Sequence, residues 1–130
     1  MSLILDTSIL IDIEKGDNYT IRKLSELSKI YNAPVQITFI TYYEFLMGLK
    51  IGKPNKYNEL LNFINSFGVL KITKKTADIL SDLKIKYDLK GISLSLADLL
   101  IASQVIENKQ IMLTKDKDFE RIEELNKIFI

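Results

Sequence analysis

The chain has 130 residues, 47% of them hydrophobic and 27% charged, a balance that suits one folded domain spanning 1–130 and excludes a disordered chain. It contains no Cys and no His, which removes disulfide frameworks, zinc fingers, Ser-His-Asp hydrolases and Cys proteases together. Acid, base or metal chemistry therefore falls mainly to Asp and Glu, and the net charge of +1 neither demands nor excludes a polyanionic partner.

Leu3-Ile4-Leu5 is a short apolar run ending at Asp6-Thr7-Ser8, the pattern of a buried strand that runs into a helix start. An acid this early, with no basic stretch before it, argues against an export signal, so a cytoplasmic location is expected. From Thr20 to Tyr31 the apolar residues Ile21, Leu24, Leu27 and Ile30 recur in steps of three between charged residues, which predicts an amphipathic helix. Val35 to Ile40 reads as a second strand. Thr41 and Glu44 have capping-box spacing, predicting a helix from Thr41 to about Ile51, stopped by Gly52-Lys53-Pro54-Asn55. Tyr57, Leu60, Leu61, Ile64 and Phe67 then share one helical face, and Val69 to Ile72 is the next strand.

Lys74 to Lys90 is a further helix, with Leu80, Leu83 and Tyr87 inward. Ser95 and Asp98 repeat the cap spacing, and the helix that follows to Ile106 is apolar almost all round, hence buried. Ile111 to Leu113 is a strand, Asp116 to Leu125 a helix, and Ile128 to Ile130 an edge strand. This alternation predicts an α/β fold of three layers, with a mainly parallel sheet of four or five strands between helices. No apolar run approaches the roughly 20 residues needed to cross a bilayer, so no membrane partner is expected.

Four acids, Asp6, Glu44, Asp98 and Asp116, each have a plain structural explanation as caps or first-turn acids that oppose a helix dipole. Their joint placement says more. Asp6, Glu44 and Asp116 follow strands that all end on one side of a parallel sheet, the side where ligands bind. Asp98 interrupts a buried apolar helix that starts beside the same edge. Converging carboxylates repel one another unless a cation neutralises them, and oxygen-only ligation favours Mg²⁺ or Mn²⁺. Such a site activates water and stabilises an in-line phosphoryl displacement. With those four acids assigned to it, 18 basic residues face 13 acidic ones elsewhere, a surplus of five that would favour a polyanion.

The motifs Leu3 to Ser8, Tyr43-Glu44-Phe45-Leu46-Met47-Gly48, Ala97-Asp98-Leu99-Leu100-Ile101-Ala102 and Leu113-Thr114-Lys115-Asp116-Lys117-Asp118-Phe119 occur in an order and spacing that resemble the PIN-domain ribonucleases, and among them the VapC-like toxins. The resemblance runs almost end to end. It implies a PIN-like α/β/α fold and endonucleolytic cleavage of RNA that leaves 5′-phosphate and 3′-hydroxyl ends. It further implies that Asp6, Glu44, Asp98 and Asp116 hold one or two Mg²⁺ or Mn²⁺ ions, with Thr7, Ser8 and Thr114 supporting them by hydrogen bonds. Asp118 competes with Asp116 for the fourth place. A small antitoxin protein is the partner such a toxin implies. The apolar surplus on the helices from Thr20 to Tyr31 and Thr41 to Phe67 suits an amphipathic segment laid in a groove, and the helix from Lys74 to Lys90 suits a homodimer contact. The alternatives are a housekeeping PIN nuclease in RNA processing and a non-catalytic RNA-binding or assembly domain.

Overall fold

The computed structural model describes residues 1–130. Five strands, β1 (Leu3–Leu5), β2 (Gln36–Ile37), β3 (Gly68–Val69), β4 (Ile111–Thr114) and β5 (Lys127–Phe129), form one sheet in the order β3-β2-β1-β4-β5, and every pairing is parallel. Six helices surround it: α1 (Thr7–Glu14), α2 (Asn18–Ser28), α3 (Phe39–Gly52), α4 (Tyr57–Asn65), α5 (Lys74–Leu89) and α6 (Leu96–Glu107). No helix is long and apolar enough to cross a membrane.

The period of two along each strand divides the core. Ile4 and Met112 face a cluster with Leu83, Tyr87, Leu99, Ala102 and Val105 of α5 and α6, whereas Leu5, Ile37 and Leu113 face one with Ile9 and Leu10 of α1, Phe45 and Leu49 of α3 and Ile64 of α4. The strands are apolar on both faces because helices cover both.

The strands expected over Val35 to Ile40 and Val69 to Ile72 shrink to Gln36–Ile37 and Gly68–Val69, and three helix expectations need correction. The helix expected to open at Thr41 starts at Phe39, because Thr38 has extended backbone and its hydroxyl accepts the Thr41 N–H at 3.2 Å. Two threonines three residues apart offer the same cap spacing; the first takes the role, so Glu44 lies in the second turn and is no capping-box partner. The helix expected over Asp116 to Leu125 is instead a 3₁₀ turn at Lys117–Arg121. Of the buried residues Phe119, Ile122 and Leu125, only Phe119 lies in the turn; Ile122 already has extended backbone, and the chain runs on to β5. Finally, α2 begins earlier than expected, capped by Asp17, and ends at Ser28; Ile21 and Ile30 stay exposed, leaving Leu24 and Leu27 to pack on the core.

Gln104, fully buried in α6, joins three elements. Its Nε2 donates to the Leu70 carbonyl at 2.9 Å and its Oε1 accepts the Phe39 N–H at 3.1 Å, tying the start of α3 and the end of β3 to α6. Gln104→Leu roughly keeps the volume but orphans the buried Leu70 carbonyl and leaves the partly exposed Phe39 N–H to water, so a loss of about 1–3 kcal/mol is expected. A urea midpoint that falls at unchanged slope is the check.

Candidate metal and active site

β1 is the central strand, and the chain leaves it for β2 on one side and returns to β4 on the other, so the C-terminal ends of β1 and β4 flank the switch point of the sheet. Asp6 is the residue after β1 and stands at the N-cap position of α1 without a side-chain capping bond, its backbone N–H on the Leu113 carbonyl at 3.1 Å. It is 6% exposed. Its Oδ2 accepts the Thr114 hydroxyl at 2.8 Å and the Ser8 hydroxyl at 3.3 Å. Burial pushes the Asp6 carboxyl above the usual carboxylate range, against the opposing pull of the Thr114 and Ser8 hydroxyls and the Thr7 N–H; the charge on Asp116 pushes it further up.

The two hydroxyls also receive. Thr114 Oγ1 accepts the Asp116 N–H at 3.0 Å and Ser8 Oγ accepts the Lys115 N–H at 3.4 Å. Each therefore links the Asp6 carboxylate to the backbone of the segment that follows β4. Asp116 caps the 3₁₀ turn, its Oδ1 accepting the Asp118 N–H at 2.9 Å. Asp98 sits in the first turn of α6, where the Ser95 hydroxyl accepts its N–H at 3.1 Å.

Carboxylate oxygens of Asp98, Asp116 and Asp118 lie within 4.8 Å of one another. Desolvation raises the Asp98 pKa, the Ser95 hydroxyl lowers it, and the charges of Asp116, Asp118 and Asp6 raise it again. Neither Asp6 nor Glu44 falls inside that group of three. Asp6 adjoins it through Thr114 and through its electrostatic coupling to Asp98 and Asp116. Glu44 approaches from α3, where its Oε1 accepts the Thr7 hydroxyl at 2.9 Å. Thr7, Ser8 and Thr114 thus each hold a carboxylate, and Asp116 and Asp118 stand together.

A group of carboxylates with like-charge coupling and no His or Cys nearby fits a hard divalent cation, since anionic oxygens are its preferred ligands and its charge removes the repulsion. Thr7, Ile11, Glu14, Glu44, Phe45 and Leu60 line a mostly apolar cleft of about 320 Å³ between α1, α3 and α4, with Glu44 the site acid that it includes. Two polar contributors escape notice in the sequence. Gln104 could have been found as the lone amide in an apolar helix, the same signal that singles out Asp98. Asp12, whose carboxyl the Lys115 ammonium and the Thr20 hydroxyl hold below its usual range, carries no local signal, since its partners come from distant segments.

Comparison with known proteins agrees with this architecture. The sequence model of the PIN domain family matches residues 3–125. Ribonuclease VapC of Rickettsia bellii is 32% identical over 131 residues, covering 96% of this chain and 93% of that protein, and Ribonuclease VapC1 of Rickettsia felis is 32% identical with the same coverage. Among solved structures, VapBC2 from Rickettsia felis bound to a DNA fragment from its promoter superposes with a TM-score of 0.83 at 24% identity, covering 100% of this chain and 99% of that one. VapBC-1 from nontypeable Haemophilus influenzae gives 0.84 at 24%, covering 99% and 98%. Fold, site topology and the near end-to-end match to VapC relatives agree: the chain belongs to the PIN domain family.

Proposed function

We propose that the chain is a metal-dependent endoribonuclease, the toxin of a toxin-antitoxin pair, acting in the cytoplasm as one PIN unit over residues 1–130. The observation that carries this reading is the convergence of Asp98, Asp116 and Asp118 beside buried Asp6, at the switch point of the sheet, in a chain whose relatives bear the name ribonuclease. Asp6, Asp98 and Asp116 would hold the ion, Asp118 adds a fourth carboxylate, and Glu44, oriented by Thr7, extends the acidic edge from α3. When bound, Mg²⁺ or Mn²⁺ supplies the neutralising charge, activates water and stabilises an in-line displacement at phosphorus.

The chain's own part is positioning. Thr114 and Ser8 direct their protons to one oxygen of Asp6, fixing that carboxylate, while Asp116 is oriented by the Asp118 N–H that it accepts. The chain has no imidazole to offer as a base, so carboxylates are the side chains at the site that can accept a proton. Cleavage leaves a 5′-phosphate and a 3′-hydroxyl.

The apolar cavity beside Glu44 suits the helix of a small antitoxin, consistent with structural neighbours that are toxin-antitoxin complexes. A homodimer would use the α5 side, where Ile85 and Leu89 are 60% and 84% exposed. Light scattering at micromolar concentration tests that assembly. The activity test incubates purified protein, free of inhibitor, with structured RNAs in Mg²⁺, Mn²⁺ or EDTA. Cleavage with either metal and none in EDTA is expected; folded protein inactive with both metals would sink the nuclease reading.

A further inference from the structure

Lys115, directly before Asp116, is tied to the far end of α1. Its ammonium lies 2.7 Å from Asp12 Oδ2, and the same oxygen accepts the hydroxyl of fully buried Thr20 at 2.7 Å. Its backbone N–H donates to Ser8 Oγ at 3.4 Å. The segment after β4 is thus held to α1 through both backbone and side chain, and Asp12 is held in turn by α2. The Lys115 side chain is 42% exposed, so solvent screening leaves the pair little weight in global stability, and stability does not explain why three elements meet there.

Its place in the chain explains more. Consecutive Cα atoms are about 3.8 Å apart, so anchoring Lys115 restrains Asp116 at the next position and Asp118 through the bond between them. Carboxylate oxygens of Asp98, Asp116 and Asp118 lie within 4.8 Å of one another and repel, and two of the three are carried by the short segment between β4 and buried Phe119, on which that repulsion acts. Resting on the metal-site reading above, we propose that the Asp12–Lys115 ion pair is a positioning device that holds the Asp116 and Asp118 carboxylates against Asp98 and so preforms the cation site.

Charge and position make opposite predictions. Acting only through space, loss of the Lys115 cation would tighten Mn²⁺ binding and loss of the Asp12 anion would weaken it. Acting as a tether, both losses weaken it.

The experiment compares wild type with Lys115→Met, Asp12→Asn and Lys115→Arg, which keeps the ion pair. Amide exchange in EDTA, calorimetric titration with MnCl₂ alone, and kcat and KM on RNA are measured for each. In both pair-breaking variants, exchange over residues 115–118 should rise by about tenfold or more. Mn²⁺ affinity should fall by about threefold to tenfold, below the loss typical of groups that contact a ligand directly. A lower kcat with RNA KM within about twofold is expected, and Lys115→Arg should restore all three readouts. Unchanged Mn²⁺ affinity in both variants overturns the proposal, as does tighter binding in Lys115→Met with weaker binding in Asp12→Asn. A KM increase confined to Lys115→Met, with exchange unchanged, overturns it in favour of a direct phosphate contact. Wild type that takes up no Mn²⁺ sinks the metal-site reading itself, which the metal-free exchange measurement keeps separate from the tether.

Discussion

Asp6→Asn should lower RNA cleavage by at least about 100-fold while leaving the metal-free fold as stable as wild type or more so near neutral pH. The side-chain oxygen of asparagine can still accept the Thr114 and Ser8 hydroxyls, so the packing that links β1 to the segment after β4 survives. What disappears is a charge in a place that burial makes costly. The sign with pH follows from linkage. Asp6 has a folded pKa above its unfolded value, so between the two the folded state binds more protons than the unfolded one, and metal-free stability falls as pH rises through that window. Above the folded pKa the penalty is complete and constant. Other acids run the opposite way, Asp12 among them, whose lowered pKa contributes stability that is present at neutral pH and lost on acidification. The informative quantity is therefore wild type minus Asp6→Asn. In EDTA this difference should become less favourable to wild type as pH rises above the unfolded carboxylate value of about 4, and level off once Asp6 is ionised in the folded protein. In Mn²⁺ it should reverse, because the ion binds the ionised carboxylate and wild type gains more than a variant that has lost one. Urea titrations at several pH values in both media measure it; a difference flat with pH in EDTA would show that burial does not control Asp6.

The layered parallel fold was legible because β1 and β4 are short apolar runs punctuated by acids and caps, and because α6 is apolar almost all round. Asp6 could be read from its position after the first strand. The α3 start was not legible, since Thr38 and Thr41 satisfy the same spacing rule and only the tertiary path that gives Thr38 extended backbone separates them. The turn after Asp116 departs from the expected helix because apolar residues every three positions fit both helix types, and packing of Phe119, Ile122 and Leu125 on the α5–α6 side selects the shorter turn. In the sequence Asp118 and Asp116 compete for one place, whereas the tight turn brings both carboxylates to Asp98. The tether through Asp12 joins residues 103 apart in sequence, and no local pattern encodes such a pairing.

Asp98→Asn separates cap from site. The Ser95 hydroxyl already accepts the Asp98 N–H, and that bond involves only backbone on the Asp98 side, so it survives the substitution. Were the carboxylate only opposing the α6 dipole, its loss would cost about 0.3–1 kcal/mol, equally in EDTA and in Mn²⁺, and cleavage would persist. The proximity of Asp116 and Asp118 predicts a different result. Removing one of three carboxylates whose oxygens lie within 4.8 Å relieves repulsion in the metal-free protein, so stability in EDTA should hold or rise after the lost dipole contribution is offset. The gain in stability on adding Mn²⁺ should shrink, because an ion that binds only the folded state contributes RT ln(1 + [L]/Kd), and Kd has weakened. Cleavage should fall with it. Thermal unfolding of both proteins in EDTA and in Mn²⁺, alongside the RNA assay, decides the matter. An equal drop in melting temperature in both media with cleavage retained would return Asp98 to capping. A smaller Mn²⁺ increment with unimpaired stability in EDTA would assign its carboxylate to the ion, since no helix-dipole effect depends on the metal.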